Sequence, residues 1–164
     1  SALKWSKRRT KNPIDTEHHQ GDLKKVLLDL QKKYDYVVLD VAGRDSESFR
    51  TALQVADKLI VPTQPSQSDV EVLPFVLKMF NTYQKVNTKL QPFLVVNKAP
   101  SNSKSTEVAD SIELLQTLPK FKLLNTVIRD RKQFRDASIQ GLSVLEMGSS
   151  KAKDELNEFL VEIL

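Results

Sequence analysis

YDYVVLDVAGRDSESFRTALQVADKLIVPTQP, residues 34–65, decides the fold. Residues 36–41 are a short β-branched apolar run that contains Asp40 and leads into an Ala42-Gly43 turn. A helical stretch follows. A second apolar run, KLIVPT (58–63), then ends in a proline-rich loop. Strand, turn, helix, strand is the grammar of a parallel sheet, whose ligands collect beyond the carboxyl ends of its strands. Asp40 and Gly43 sit at such an end.

Working outward, FLVVN (93–97) and LLNTVI (123–128) are further short, polar-flanked runs, as expected of strands buried on both faces. Helical patterns alternate with them. In 22–33, Leu23, Val26, Leu27 and Leu30 form one stripe; in 69–86, Val72, Phe75, Val76, Met79 and Phe80 do, opened by Ser68 and Glu71 at capping-box spacing. Segments 105–117, 131–140 (stopped by Gly141) and 150–163 complete the set. The expectation is one α/β domain over 1–164, a mostly parallel twisted sheet flanked by helices. The basic opening, within 1–20, and the PSNSKS linker (100–105) read as flexible segments.

Composition sets outer limits. A chain of 164 residues with 40% hydrophobic and 28% charged residues has the make-up of one ordinary globular core. No cysteine is present, so disulfides and thiolate metal sites are excluded, and a cytoplasmic location is expected. No apolar run approaches a membrane span, and SALKWSKRRTKNP lacks the apolar centre of a signal peptide. A net charge of +4 permits contact with nucleic acid without requiring it.

Taken singly, the motifs allow two readings. Asp40 can hold a magnesium ion through a water, or merely cap a turn. Gly43 can admit a γ-phosphate close to the backbone, or simply supply a positive φ. Asn97 can simply close a strand. Arg129 and Arg131 can stack on a nucleotide or sit in a solvated loop. No phosphate-cradling G-x-x-x-x-G-K-[ST] loop occurs anywhere in the sequence.

Taken together, the motifs resemble a family. D-Y-V-V-L-D-x-A-G, A-x-x-x-A-D-K-L-I-V-P-T-x-P-S-x-x-D, a V-N-K strand end and R-D-R-K-Q-F-R-D-A-x-x-x-G-x-S-V-L-E occur in the order seen in ParA/MinD-type partition ATPases. The small plasmid partition ATPases are the nearest likeness, over about residues 34–148. The resemblance implies ATP and Mg2+ as cofactors, with Asp40 as the catalytic and metal-shell residue. It places Gly43, Pro62, Asn97, Lys98, Arg129 and Arg131 around the nucleotide. Adenine suits the site, because Ala99-Pro100 follow Asn97-Lys98 where a guanine-reading aspartate would stand in the related GTPases. The family's P-loop is expected upstream of this chain, so ATP hydrolysis is expected of the intact protein.

The resemblance further implies an ATP-bound homodimer, non-specific binding to nucleoid DNA and a centromere-binding partition protein as partner. Lys120, Lys122, Lys132 and Arg135 are the DNA candidates. His18-His19 read as a surface pair and Trp5 as a packing residue. In the last helix, Asp154, Glu155, Glu158 and Glu162 outnumber Lys151 and Lys153, which disfavours attachment to anionic lipid. Two other functions fit the same sequence: a non-enzymatic interaction or DNA-tethering module on this fold, and a MinD-like division regulator.

Overall fold

The computed structural model describes residues 2–41, 46–102 and 106–164. At its centre is a parallel sheet of β1 (Lys58–Thr63), β2 (Gln91–Ala99) and β3 (Lys122–Arg129), in the order β1-β2-β3. Helices join and cover the strands: α1 (Ala2–Ser6), α2 (Lys24–Leu30), α3 (Glu47–Leu53), α4 (Gln67–Val70), α5 (Leu73–Tyr83), α6 (Glu107–Gln116), α7 (Lys132–Gln140) and α8 (Lys151–Ile163). A short 3-10 turn, Val144–Glu146, precedes α8. The expected α/β class is the observed one.

β2 explains why a continuous apolar run was the right signal. Strand residues alternate between faces, and both faces of β2 are buried. Leu94 and Val96 pack with Leu73 of α5, Leu115 of α6 and Ala99. Phe93 and Val95 face the other way, onto Leu124 and the Phe159, Leu160 and Ile163 stripe of α8. Beside these, Phe80 of α5 is wholly buried against Leu53 and Leu90, its ring edge-on to Phe121.

The expected helix over 69–86 is two helices. Pro74 has no N–H to offer the carbonyl four residues back, so the chain stops at Val70 and restarts at Leu73. The cap is Ser66, whose hydroxyl accepts from the Asp69 amide, rather than the expected Ser68.

The larger correction concerns residues 36–41. The apolar pattern predicts a buried strand there, yet the segment belongs to no strand, with Tyr36 71% and Val38 93% exposed. β propensity reports how well a side chain fits a pleated, covered surface. It cannot supply the ladder partner that a strand's backbone groups require. Among the described residues nothing pairs with 36–41, and β1 has only β2 beside it.

The opposite edge is closed. Two steps along β2, from Leu94 to Val96, match four along β3, from Leu123 to Val127, so β3 bulges there. Glu162 of α8 takes up the amides that the bulge displaces. Its carboxylate accepts from Asn125 N at 2.8 Å and Thr126 N at 2.7 Å, and also from the Thr126 hydroxyl. One heptad earlier, Glu155 accepts from Arg129 N at 3.2 Å. Two acidic residues of α8, Glu155 and Glu162, thus serve the sheet edge.

The basic opening is tied to the far end of the chain. Trp5 donates its indole N–H to the Leu142 carbonyl, and Arg9 forms a two-pronged ion pair with Glu146.

Candidate functional site

Parallel register gathers the sequence-predicted residues at one end of the sheet. Thr63 pairs with Val96 and Ala99 with Arg129. Pro62, Asn97, Lys98, Arg129 and Arg131 therefore all belong to the carboxyl rim. Three steps along β2, from Val96 to Ala99, answer two along β3, from Val127 to Arg129. The extra residue makes a bulge at Asn97-Lys98, and Lys98 takes the left-handed conformation, φ 51°. A bulge at a strand end re-aims side chains, and positive φ is uncommon for any residue with a Cβ. The exposed Lys98 side chain has no ion-pair or hydrogen-bond partner among the described residues.

The other rim cations are engaged. Arg129 donates to the Pro100 carbonyl at 2.7 Å. Arg131 places Nε and Nη2 on Glu155 Oε1 at 3.0 and 2.6 Å, with both side chains largely buried. Those hydrogen bonds raise the Arg131 pKa above its ordinary value, against the opposing pull of burial. Lys132 pairs with Asp136, and Arg135 with Asp130. The loops after β2 and β3 are themselves laced: Asp130 N donates to the Ala99 carbonyl at 2.8 Å, and the Ser101 hydroxyl to the Asp130 carbonyl at 2.9 Å. Between β1 and α4, Asp69 accepts from Gln64 N at 2.9 Å, acting as a loop brace. Among the described residues the rim is thus a braced frame in which Lys98 is left uncommitted.

Asp40 lies apart from that frame in sequence and is exposed, in the segment that pairs with no strand. Gly43 lies outside the described residues. Among the described residues no group of three His, Cys, Asp or Glu could hold a metal ion. A single carboxylate acting through metal-bound water needs no such group, since magnesium keeps much of its hydration. His19 lies 2.7 Å from Glu17, both of them partly exposed.

The basic sequence cluster does not stay together. Lys120 and Lys122 lie at the start of β3, whereas Lys132 and Arg135 follow its end, about 23 Å away along a strand rising roughly 3.3 Å per residue. Lys122 rests over the Phe93 ring, and Lys120 donates to Asn81 Oδ1 at 2.9 Å. That last contact joins Lys120 to a group the sequence reading missed. An open groove of about 400 Å3 on α5 is lined by Pro74, Leu77, Lys78, Asn81, Thr82 and Lys85. Helical spacing of 78, 81, 82 and 85 was the available signal. It was masked by the adjacent apolar stripe.

An AAA-domain family model matches residues 8–92. The maintenance of carboxysome distribution protein A of Halothiobacillus neapolitanus is 28% identical over 138 residues, which cover 82% of this chain and 62% of that protein. A ParA family protein of Mycoplasma genitalium is 25% identical over 88% of this chain and 54% of its own length. The septum site-determining protein MinD of Bacillus subtilis is 28% identical over 66% of this chain and 39% of its own. The chain spans about half the length of the curated relatives it matches. No helix among the described residues is long and apolar enough to cross a membrane.

Proposed function

This chain belongs to the ParA/MinD family, and from that premise we propose that it is the base-side and metal-side portion of an ATP-dependent partition or positioning protein. The observation that carries the proposal is the carboxyl rim: the loops after β1, β2 and β3 lie there, braced, with the Lys98 amine left without a partner among the described residues. Parallel α/β sheets take their ligands at this end. Lys98 would meet an anionic group of the nucleotide, Asn97 would face adenine, and the Pro62 loop would border the pocket. Asp40 would hold the water shell of magnesium, and Gly43 would leave room for the γ-phosphate. Bound Mg-ATP supplies a phosphoanhydride bond whose cleavage resets the protein. The chain's own residues position and neutralise charge, as phosphoryl transfer requires.

The phosphate cradle has no counterpart in these 164 residues. We assign it to a further segment whose strand would lie between β1 and residues 36–41, giving both a ladder partner. Asp40 would then stand at a strand end on the same rim as Lys98. The test is titration of a fluorescent ATP analogue, with magnesium, into this chain and into a chain extended by a segment carrying a G-x-x-x-x-G-K-[ST] loop. The extended chain is expected to bind, and to lose most of that affinity in Asp40→Asn and Lys98→Met. Absence of binding by the extended chain would favour the non-enzymatic module.

Non-specific DNA is the proposed cargo surface, with ATP-dependent dimerisation setting its affinity and a centromere-binding protein stimulating release. Lys120 and Lys122 remain candidates here, joined by Lys78 and Lys85. Lys132 and Arg135, each paired with an aspartate, are the weaker pair. Affinity that is insensitive to salt between 50 and 200 mM would rule out a phosphate-contact surface, which should lose at least about tenfold over that range. Membrane attachment through α8 is disfavoured because Glu155 and Glu162 are committed to β3.

A further inference from the structure

The strap formed by residues 2–12 reaches across the whole chain to α7 and the turn beyond it. Arg8 donates Nε and Nη2 to the Ser138 carbonyl, at 3.1 and 2.9 Å, in the last turn of α7. Arg9 donates to the Gly141 carbonyl at 3.1 Å and, through two nitrogens, to the Glu146 carboxylate at 2.9 and 2.7 Å. Its Nε meets the Asn12 carbonyl, and the guanidinium lies 4.8 Å above the Trp5 ring centre. Only 3% of the Arg9 side chain is exposed. Trp5 donates to the Leu142 carbonyl, and Asn12, in a left-handed conformation, donates to Glu146.

Gly141 shows how close this contact is. It ends α7 at φ 69°, and a Cβ there would fall 2.6 to 2.8 Å from the backbone of Arg8 and Arg9. The position is therefore closed to side chains twice over, by conformation and by the strap.

α7 needs this support. It has nine residues, of which only Ala137 is buried. A helix that short is unstable on its own in water and owes its existence to docking. Its amino end follows directly from the rim loop 129–131, where Arg131 meets Glu155. Its carboxyl end is what the strap holds.

We infer that residues 2–12 form a latch that fixes α7 and, through it, the position of the 129–131 loop at the carboxyl rim, with Arg9 as the positioning residue. The strap's hydrogen bonds go to Ser138, Gly141, Leu142 and Glu146, beyond the far end of the loop's helix or on its last turn. An effect at 129–131 must therefore travel through α7. The latch itself stands on geometry; its bearing on nucleotide binding rests on the reading proposed above.

Trp5 is the only tryptophan, so its emission reports on the strap alone. Hydrogen exchange of the chain as it stands, without nucleotide, reports on the rest. In Arg9→Met, Trp5 emission should shift to the red, and amides of 129–141 should exchange at least about tenfold faster, as in a local opening. Amides of β1 and β2 should keep their protection. Arg9→Lys, which retains the charge but not the fork, should fall between. Three results would overturn the inference: unchanged Trp5 emission in Arg9→Met; a released Trp5 with unchanged exchange at 129–131; or equal loss of protection in β1 and β2 in both variants, which would make the strap part of the global core. Because no nucleotide is present, these outcomes are independent of whether the rim binds ATP.

Discussion

The two edges of the same three-stranded sheet are finished in opposite ways. At β3, an edge strand that bulges away from its ladder has its displaced amides taken up by carboxylates of α8. At β1 the only ladder partner among the described residues is β2, and the apolar run 36–41 stays out of any ladder with Val38 almost fully exposed. An exposed edge is normally shielded or charged against stray pairing. One edge is therefore finished by side chains of this chain, while among the described residues the other has no such partner. The sequence-predicted residues divide in the same way: Pro62 to Arg131 lie on the rim of β1 to β3, while Asp40 lies in the segment that joins no strand.

The largest effect that would break this comparison lies at Glu162. Glu162→Ala should destabilise the chain by about 2 kcal/mol, because it strips charged acceptors from two amides and a hydroxyl. Chemical denaturation measures this, and Glu158→Ala, on the exposed side of α8, should move stability by less than about 0.5 kcal/mol. Equal effects from the two would show that the β3 edge is not locked by Glu162.

Acid should loosen the same edge. Burial pushes the Glu162 carboxyl up, but hydrogen bonds from Thr126 and Asn125 outweigh it and hold its pKa below the ordinary 4.5. A depressed carboxylate contributes stability that is fully present above its unfolded pKa and is lost as pH falls through the folded one. Exchange at Asn125 and Thr126, corrected for intrinsic rates, should therefore quicken below about pH 4.5, and Glu162→Ala should abolish that dependence.

The smallest effect belongs to the open edge. Val38→Lys should change the stability of this chain by less than about 0.5 kcal/mol, since Val38 makes no buried contact to lose. In a chain extended by the strand proposed above, the same substitution should cost about 2 kcal/mol or more, because it would place a charge on a covered strand face. A large cost in the present chain would mean that 36–41 is already docked.

How much of this the sequence disclosed depends on where each feature's cause lies. β1, β2 and β3 were legible because a β-branched run between amphipathic helices has one comfortable place, the middle of a covered sheet. Gly141 was legible as a helix stop; the set from Pro62 to Arg131 was named by the family resemblance, and parallel register puts those residues at one end of the sheet. The run 36–41 had the same local signal as β2 but has no ladder partner among the described residues, and a pattern of side chains carries no information about partners. The roles of Glu155 and Glu162 were hidden because a bulge in β3 is invisible in its own residues. Arg9 and Glu146 lie 137 positions apart, and nothing in either neighbourhood names the other. Pro74 did announce the break between α4 and α5, but the apolar stripe running through it was the louder signal.

The most direct measurement of the central claim is hydrogen exchange at residues 36–41, compared between this chain and one extended by a segment bearing the phosphate-binding loop. Near-unprotected amides are expected in the former and strand-like protection in the latter, reinforced by Mg-ATP and weakened by Asp40→Asn. Amides of 36–41 that exchange equally fast in both, with and without nucleotide, would contradict it.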